Sequence, residues 1–371
     1  MKRRFLFVSI LVIQFGCLGA GIPGYLPKKL RYFVESIESG KQGLQGVGIA
    51  ILYQGHVVYK TVSGFRRGGE GVITAETLFP LASVSKVVSA TAIALLVEDR
   101  RVDLERKVRL PWIRPAVNLR HLLSHTTGYQ FTGNAQIERG LSRPIALKVL
   151  KKQKQVYKAG CVYFYSNILF SLVDELLQRQ NTSLHEAIGE LQLKLGTKGI
   201  QILPLNPDYS VAYPHNRVPI GCKGQGTRVR PLAFPPYYPK TVPAAAGVFA
   251  SLDGMVELLK LWCGYRPDLA FQRTLRKFYC PRVSTSDAKR IRSKIPRCKG
   301  RIKSFYGLGW RIFRAERYPG KDLVCHTGYI AGVNAFIGFI PFEDVGIVIL
   351  VNEDNGFART EGFRFWSEFL K

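Results

Sequence analysis

The stretch Thr77 to Asp99, TLFPLASVSKVVSATAIALLVED, constrains this chain most. From about Val84 it reads as a helix apolar on every side, through Val84, Val87, Val88, Ala90, Ala92, Ile93, Leu95 and Leu96, the pattern of a helix at a core centre. Yet Lys86 sits in its first turn, three residues after Ser83, a spacing that puts both side chains on one face at the helix N-terminus. The unpaired N–H groups and positive dipole end there discourage a protonated ammonium, and burial lowers a lysine pKa in the same direction. A neutral Lys86 can take a proton from Ser83, so the stretch predicts a Ser-Lys nucleophile. A plainer reading stands beside it, with Ser83 as a helix N-cap and Lys86 as a snorkelling surface residue. Spacing cannot choose, because Ser286 and Lys289 repeat S-x-x-K inside the basic run STSDAKRIRSK, where a solvated face is expected.

At 371 residues, with 46% hydrophobic content and 36 glycines, the chain can build one large composite domain or two intimate ones. Residues 1–20 combine Lys2, Arg3 and Arg4 with an apolar run from Phe5 to Ile13 and small residues around Cys17, Gly19 and Ala20, as a secretory signal peptide does. A periplasmic or secreted protein is expected. The same segment also fits an uncleaved membrane anchor, since apolar character continues to about Ile22, and, less well, lipid modification at Cys17.

Cys161, Cys222, Cys263, Cys280, Cys298 and Cys325 follow, an even number that permits disulfides in an oxidising compartment without indicating their pairing. His121 and His125 stand four apart, but no acidic or cysteine partner lies near them, and no C-x-x-C or H-E-x-x-H occurs; no metal is expected. The formal charge is +28, spread along the chain with a dense run from Lys289 to Lys303. For an exported protein this predicts attraction to peptidoglycan or another anionic envelope surface. No nucleic-acid module accompanies the charge, and no nucleic-acid partner is expected.

Pro27 to Ser39 suggests an amphipathic helix, and Val47 to Tyr53 with His56 to Val62 a hairpin around Gln54-Gly55, followed by a Gly-rich loop, Gly64 to Gly71. Over 102–236, helical patterns at Leu119 to Leu123, Pro144 to Lys154, Asn167 to Gln178 and Ser183 to Leu193 carry little strand signal between them. Beyond Val242 a helix is expected at Leu252 to Cys263, strands at Tyr306 to Arg314, Val333 to Ile340 and Val345 to Val351, and a terminal helix at Phe357 to Leu370. The expected fold is α/β (α+β): an antiparallel sheet from the N- and C-terminal segments, 21–101 and 237–371, flanked by helices, with an inserted all-helical subdomain over 102–236.

Two further stretches supply what a Ser-Lys site needs. Tyr165 and Asn167, in VYFYSNILF, lie at the start of a helix. There a hydroxyl can exchange protons with a leaving group and an amide can hold a substrate carbonyl; equally, the aromatics can pack a helix start with Asn167 as its cap. His326-Thr327-Gly328 precedes a strand, either as polar groups lining a cleft from a sheet edge or as a simple turn.

S-x-x-K at Ser83 and Lys86, Y-x-N at Tyr165 and Asn167, and H-T-G at 326–328, in this order and at these separations, resemble the serine hydrolases of the class C β-lactamase and penicillin-binding-protein family. The phrases LFPLASVSK, LRHLLSHTTG, FYSN, AAAGVFAS, YGLGW and HTGYIAG extend the resemblance over nearly all the mature chain.

The resemblance implies a β-lactamase/transpeptidase-like fold in which Ser83 attacks an acyl carbonyl and Lys86, or Tyr165 as a phenolate, accepts its proton. Tyr165 then protonates the departing group while Asn167 places the substrate. It also implies that Thr327, Gly328 and Tyr329 border the substrate, with the backbone N–H groups of Ser83 and Tyr329 as the oxyanion hole. Where β-lactamases usually begin the third motif with lysine, this chain has His326, as in relatives resembling DD-peptidases, D-amino-acid peptidases and esterases, where histidine can share a proton network with the tyrosine. Tyr329 is bulkier than the residue expected at its place.

No G-x-S-x-G elbow, Walker loop or dinucleotide fingerprint is present. The expected function is therefore an exported serine hydrolase with no metal or organic cofactor, acting through an acyl-enzyme on D-amino-acid peptides, small esters or β-lactams. The rival from another class is a catalytically weak or inactive envelope-binding protein that keeps the fold. Oligomeric state is not indicated.

Overall fold

A computed structural model describes residues 26–220, 227–233, 237–295, 298 and 300–370. The signal-peptide expectation and Cys222 lie outside the described residues. The helix Ser85–Glu98, α2 below, follows α1 (Lys28–Gly40), and every one of its residues from Ser85 to Leu96 is buried. Its polar residues are spent on its packing. Ser89 Oγ donates to Ala244 O at 2.9 Å, Ser85 Oγ accepts from Val248 N at 3.0 Å, and Thr91 Oγ1 accepts from Trp262 Nε1 at 2.9 Å. A helix apolar all round can sit only at a core centre, and its hydroxyls are tolerated because each has a partner.

The sheet beside it has nine strands, all paired antiparallel. In chain order they are β1 (Gly46–Tyr53), β2 (His56–Arg67), β3 (Glu70–Val72), β4 (Val283–Thr285), β5 (Ile302–Tyr306), β6 (Arg311–Ala315), β7 (Leu323–Ile330), β8 (Val333–Ile340) and β9 (Val345–Val351). Their spatial order is β4-β5-β6-β7-β8-β9-β1-β2-β3. The β1–β9 pairing, with Val47 opposite Val351 and Ile49 opposite Ile349, joins the two ends of the chain as expected. The region read as a Gly-rich loop, Gly64 to Gly71, is the end of β2, a turn at Gly68-Gly69 and the start of β3.

Helices cover both faces of the central strands. Ile49, Ile51 and Ile347 pack with Leu30 and Phe33 of α1 and with Trp366, while Ala50, Val348 and Leu350 pack with Leu259 and the core around α2. The helix Leu252–Trp262 is α3 and the terminal helix Phe357–Glu368 is α4. Period-2 alternation thus feeds two layers, each fully buried Ile, Val or Leu contributing about 1.5–3 kcal/mol.

Two sequence expectations need correction in detail. The segment 102–236 carries its expected helices, but it is not all-helical. Val108–Leu110 pairs with Ile113–Val117, His215–Pro219 with Thr227–Pro231, and Ile200–Ile202 with Val248–Ala250. Strands this short leave almost no periodicity to read, and Ile200–Ile202 exists because a distant segment lies beside it. The strand expected over Tyr306 to Arg314 is two, β5 and β6, joined through Gly307 to Trp310. There Gly309 takes φ +83°, and a Cβ on it would stand 2.6 Å from Ala90 Cβ and 2.9 Å from Lys86 O. The turn is pressed onto the catalytic-candidate helix, which only glycine permits.

Among the described residues, Cys161, Cys263, Cys280 and Cys325 carry free thiols, and no helix is long and apolar enough to cross a membrane.

Candidate active site

From Thr77 to Leu96 every residue is buried except Ser83. The chain arrives through Phe79–Pro80, turns at Ala82, whose φ of +46° is left-handed, and places Ser83 on a single 3-10 turn, Ala82–Val84, that runs into α2. A non-glycine residue in that conformation is held by its surroundings. Leu81 N donates to Val248 O at 3.0 Å, and Leu81 O lies against Gly328, where a Cβ would come within 2.2 Å of it. Gly328 of the H-T-G motif therefore lets β7 approach the nucleophile's turn.

Lys86 Nζ stands 3.1 Å from Ser83 Oγ, 2.6 Å from Asn167 Oδ1 and 2.9 Å from Ala245 O. The side chain is fully buried, so the snorkelling alternative fails. No carboxylate is among the groups that bear on it. Burial, with Arg311 adding in the same direction, holds its pKa well below the usual lysine range.

Tyr165 donates from its hydroxyl to Ser83 Oγ at 2.9 Å. Lys86 Nζ lies 4.7 Å from the centre of its ring and the His125 ring 4.4 Å. Burial raises the phenol's pKa, with Arg311 opposing, so the resting tyrosine is protonated. Asn167 opens the helix Asn167–Phe170, but the cap is Ser166, whose side chain accepts from Leu169 N. Freed from capping, the Asn167 amide accepts from Lys86 and donates from Nδ2 to Asn134 Oδ1 at 3.0 Å. Among the described residues no second acceptor takes its remaining Nδ2 hydrogen.

His326 lies inside β7 rather than ahead of a strand, and it is fully buried. Its Nδ1 donates to Thr327 O at 2.9 Å, which leaves Nε2 as the acceptor of the Tyr306 hydroxyl at 3.0 Å. The His326 and Tyr165 ring centres are 6.5 Å apart. The histidine's proton network thus runs to Tyr306. Burial pushes its pKa well below the usual range, and Arg311 and Lys86 reinforce this, so the imidazole is neutral. Thr327 is half-buried, whereas Tyr329 is 61% exposed and its hydroxyl donates to Asp354 Oδ2 at 2.9 Å, at the rim.

Four neighbours escaped sequence reasoning. Arg311, the first residue after YGLGW, pairs with Asp287, and its Cζ lies 5.1 Å from the Tyr165 ring centre. Tyr306, the first residue of the same phrase, holds His326. His125 accepts from Ser166 N at 3.2 Å and tucks its ring among Tyr165, Phe170 and Tyr306. Asn134 orients Asn167. The only signal for Tyr306 and His125 was membership in a supporting phrase, and Arg311 lies one residue beyond one. His121 and His125 are used separately, since His121 belongs to the capping box with Asn118. Among the described residues no group of three or more His, Cys, Asp or Glu could hold a metal ion.

A family model described as beta-lactamase matches residues 30–370, nearly the whole described chain. The chain belongs to the beta-lactamase family. Among solved structures it is similar to the octameric penicillin-binding protein homologue from Pyrococcus abyssi, with a TM-score of 0.66 and 23% identity over 88% of this chain and 73% of that one. It is also similar to EstCE1, a hydrolase with promiscuous acyltransferase activity, with a TM-score of 0.68 and 18% identity over 92% of this chain and 99% of that one. A third, SurE, has a TM-score of 0.66 and 18% identity over 92% of this chain and 73% of that one. At these identities the structural likeness carries the fold, while the family model carries the membership in this serine hydrolase family.

Proposed function

We propose that the protein is a serine hydrolase that works through a Ser83 acyl-enzyme. The observation that carries this reading is that Ser83 alone emerges from a buried segment, with Lys86 and Tyr165 both on its hydroxyl. Proton counting assigns the roles. A neutral lysine has two hydrogens, and Asn167 Oδ1 and Ala245 O take them, so its lone pair faces Ser83. Tyr165 donates to Ser83 Oγ, so the serine's own proton has Lys86 as its acceptor.

As Oγ bonds to the acyl carbon, the proton moves to Lys86 and the carbonyl electrons move to oxygen, toward the backbone N–H groups of Ser83 and Tyr329. The tetrahedral intermediate collapses, the leaving group takes a proton from Tyr165, and the phenol is restored from the lysine ammonium. Water then cleaves the ester. With its pKa raised, Tyr165 serves as the acid rather than as a resting phenolate.

The substrates of this reading are D-amino-acid peptides, small esters or β-lactams. Among the described residues near Ser83 the permanent cation, Arg311, is already paired with Asp287, and His326 is neutral. Among the described residues no unpaired cation stands beside Ser83, Lys86 or Tyr165, and Arg359 acts instead on Tyr329 at the rim, which favours small esters. Export to the periplasm, from the composition of residues 1–20, belongs to the same proposal. The charge of +28 favours a second reading, an envelope-binding protein of the same fold.

The test is the intact mass of the protein after incubation with a penicillin and, separately, a fluorophosphonate, with Ser83→Ala as control. A Ser83-dependent adduct with both supports a D-peptide or β-lactam pocket, and an adduct with the fluorophosphonate alone supports an esterase. Silence from both, with saturable wall binding unchanged in Ser83→Ala, overturns the enzyme in favour of the binding protein.

A further inference from the structure

The edge ribbon β4–β5 forms a wall of a groove of about 540 Å³, lined among others by Ser284, Ser286, Lys289, Arg301 and Lys303. Antiparallel register sets Ser284 opposite Phe305 and Thr285 opposite Ser304. Continued by one residue, it brings Ser286 opposite Lys303, with Arg301 two residues further on the same face. Ser284, Ser286, Arg301 and Lys303 are accordingly exposed, and Ser304 is buried. Lys289, three residues past Ser286, is exposed as well. The two ends of the dense basic run thus meet across one groove, which linear charge density alone does not dictate.

The inner hydroxyl is saturated: Ser304 Oγ donates to Thr285 O and accepts from Thr285 Oγ1 and Ala288 N, each at 2.9 Å. Lys303 is paired with Glu316 at 2.5 Å. Among the described residues neither Lys289 nor Arg301 forms an ion pair, although the Arg301 charge also acts on the Glu316 carboxylate held by Lys303; the hydroxyls of Ser284 and Ser286 bond no described group, and no carboxylate lines the groove. What remains among the described residues is two cations outside any ion pair and two hydroxyls without a partner, a set of donors whose nearby carboxylate, Glu316, is engaged by Lys303.

We infer that this groove binds a phosphate group, with Lys289 and Arg301 supplying the charge and Ser284 and Ser286 further hydrogen bonds. A phosphate monoester carries about −1.5 to −2 at neutral pH, which two cations match, and guanidinium presents a fork suited to its oxygens. The inference is independent of Ser83 chemistry.

It is tested on the full chain by calorimetric titration with inorganic phosphate at constant ionic strength, with chloride as the blank. Co-sedimentation with phosphatidylglycerol vesicles, against phosphatidylcholine, runs in parallel. Saturable phosphate binding is expected, weakened about tenfold or more in Lys289→Ala/Arg301→Ala and unchanged in Arg228→Ala/Arg230→Ala, which removes two exposed cations elsewhere. Variant-sensitive binding of both probes identifies a lipid headgroup, and of phosphate alone a soluble phosphate compound. Absence of saturable phosphate binding, or equal weakening in both double variants, overturns the site.

Discussion

Ser83-x-x-Lys86 and Ser286-x-x-Lys289 are the same motif with opposite fates. In the first, the lysine is fully buried with Ser83 Oγ, Asn167 Oδ1 and Ala245 O around its amine nitrogen, and the serine hydroxyl also receives Tyr165. In the second, both side chains are exposed on a groove wall and neither bonds a described side chain. Spacing places two side chains on one face. Only desolvation turns the lysine from a surface cation into a base, because the charged form loses its hydration and no carboxylate replaces it.

The sharpest break of this comparison is to remove each pair. Ser83→Ala and Lys86→Met are expected to abolish covalent labelling by fluorophosphonate, read by intact mass, while Ser286→Ala and Lys289→Met label at the wild-type rate. Labelling of Lys86→Met at that rate would mean that burial has not made a base.

Tyr165→Phe removes the proton donor on Ser83 Oγ but leaves the ring packing, and should slow p-nitrophenyl ester turnover by about a hundredfold. Unchanged turnover would move that role to another group. Next in size, Asn134→Ala unties the amide that holds Lys86, a loss of order 1–3 kcal/mol if felt in the transition state, or roughly tenfold or more in kcat/KM. A wild-type value would show that Asn167 orients itself. His326→Gln should cost less than about tenfold, since its hydrogen bonds go to Tyr306 and Thr327 rather than to Ser83. A hundredfold loss would place the imidazole in the proton path after all.

The smallest effect is on stability. Lys86 has a folded pKa below its unfolded value of about 10.4, so between the two the unfolded chain binds the extra proton and stability rises with pH. Urea midpoints should show Lys86→Met more stable than wild type at pH 7, with the gap narrowing toward pH 10. A gap that widens would refute a depressed Lys86.

Much of this was legible beforehand for a physical reason. The helix α2 is apolar on all sides, the hairpin β1–β2 and the strands β8 and β9 alternate or run apolar at full length, and such patterns survive any context. The strand Ile200–Ile202 and the break between Tyr306 and Arg311 did not, because partner segments far along the chain create them. At the site, Lys86 and Tyr165 both reach Ser83 Oγ, and Asn167 reaches Lys86. Arg311 and Asn134 reach it through folding alone, since neither lies in a motif with chemistry of its own.

By itself the sequence determined where a buried helix must run, which serine and lysine share its first turn, and that the two ends of the chain would build one sheet. These follow from periodicity, which is local. The tertiary structure decided which S-x-x-K is desolvated, that Asn167 faces Lys86 while Ser166 caps the helix, that His326 hands its acceptor to Tyr306, and that Lys289 and Arg301 meet across a groove. Each of these depends on what a distant segment does to a side chain's access to water and partners, and that is set only when the segments pack.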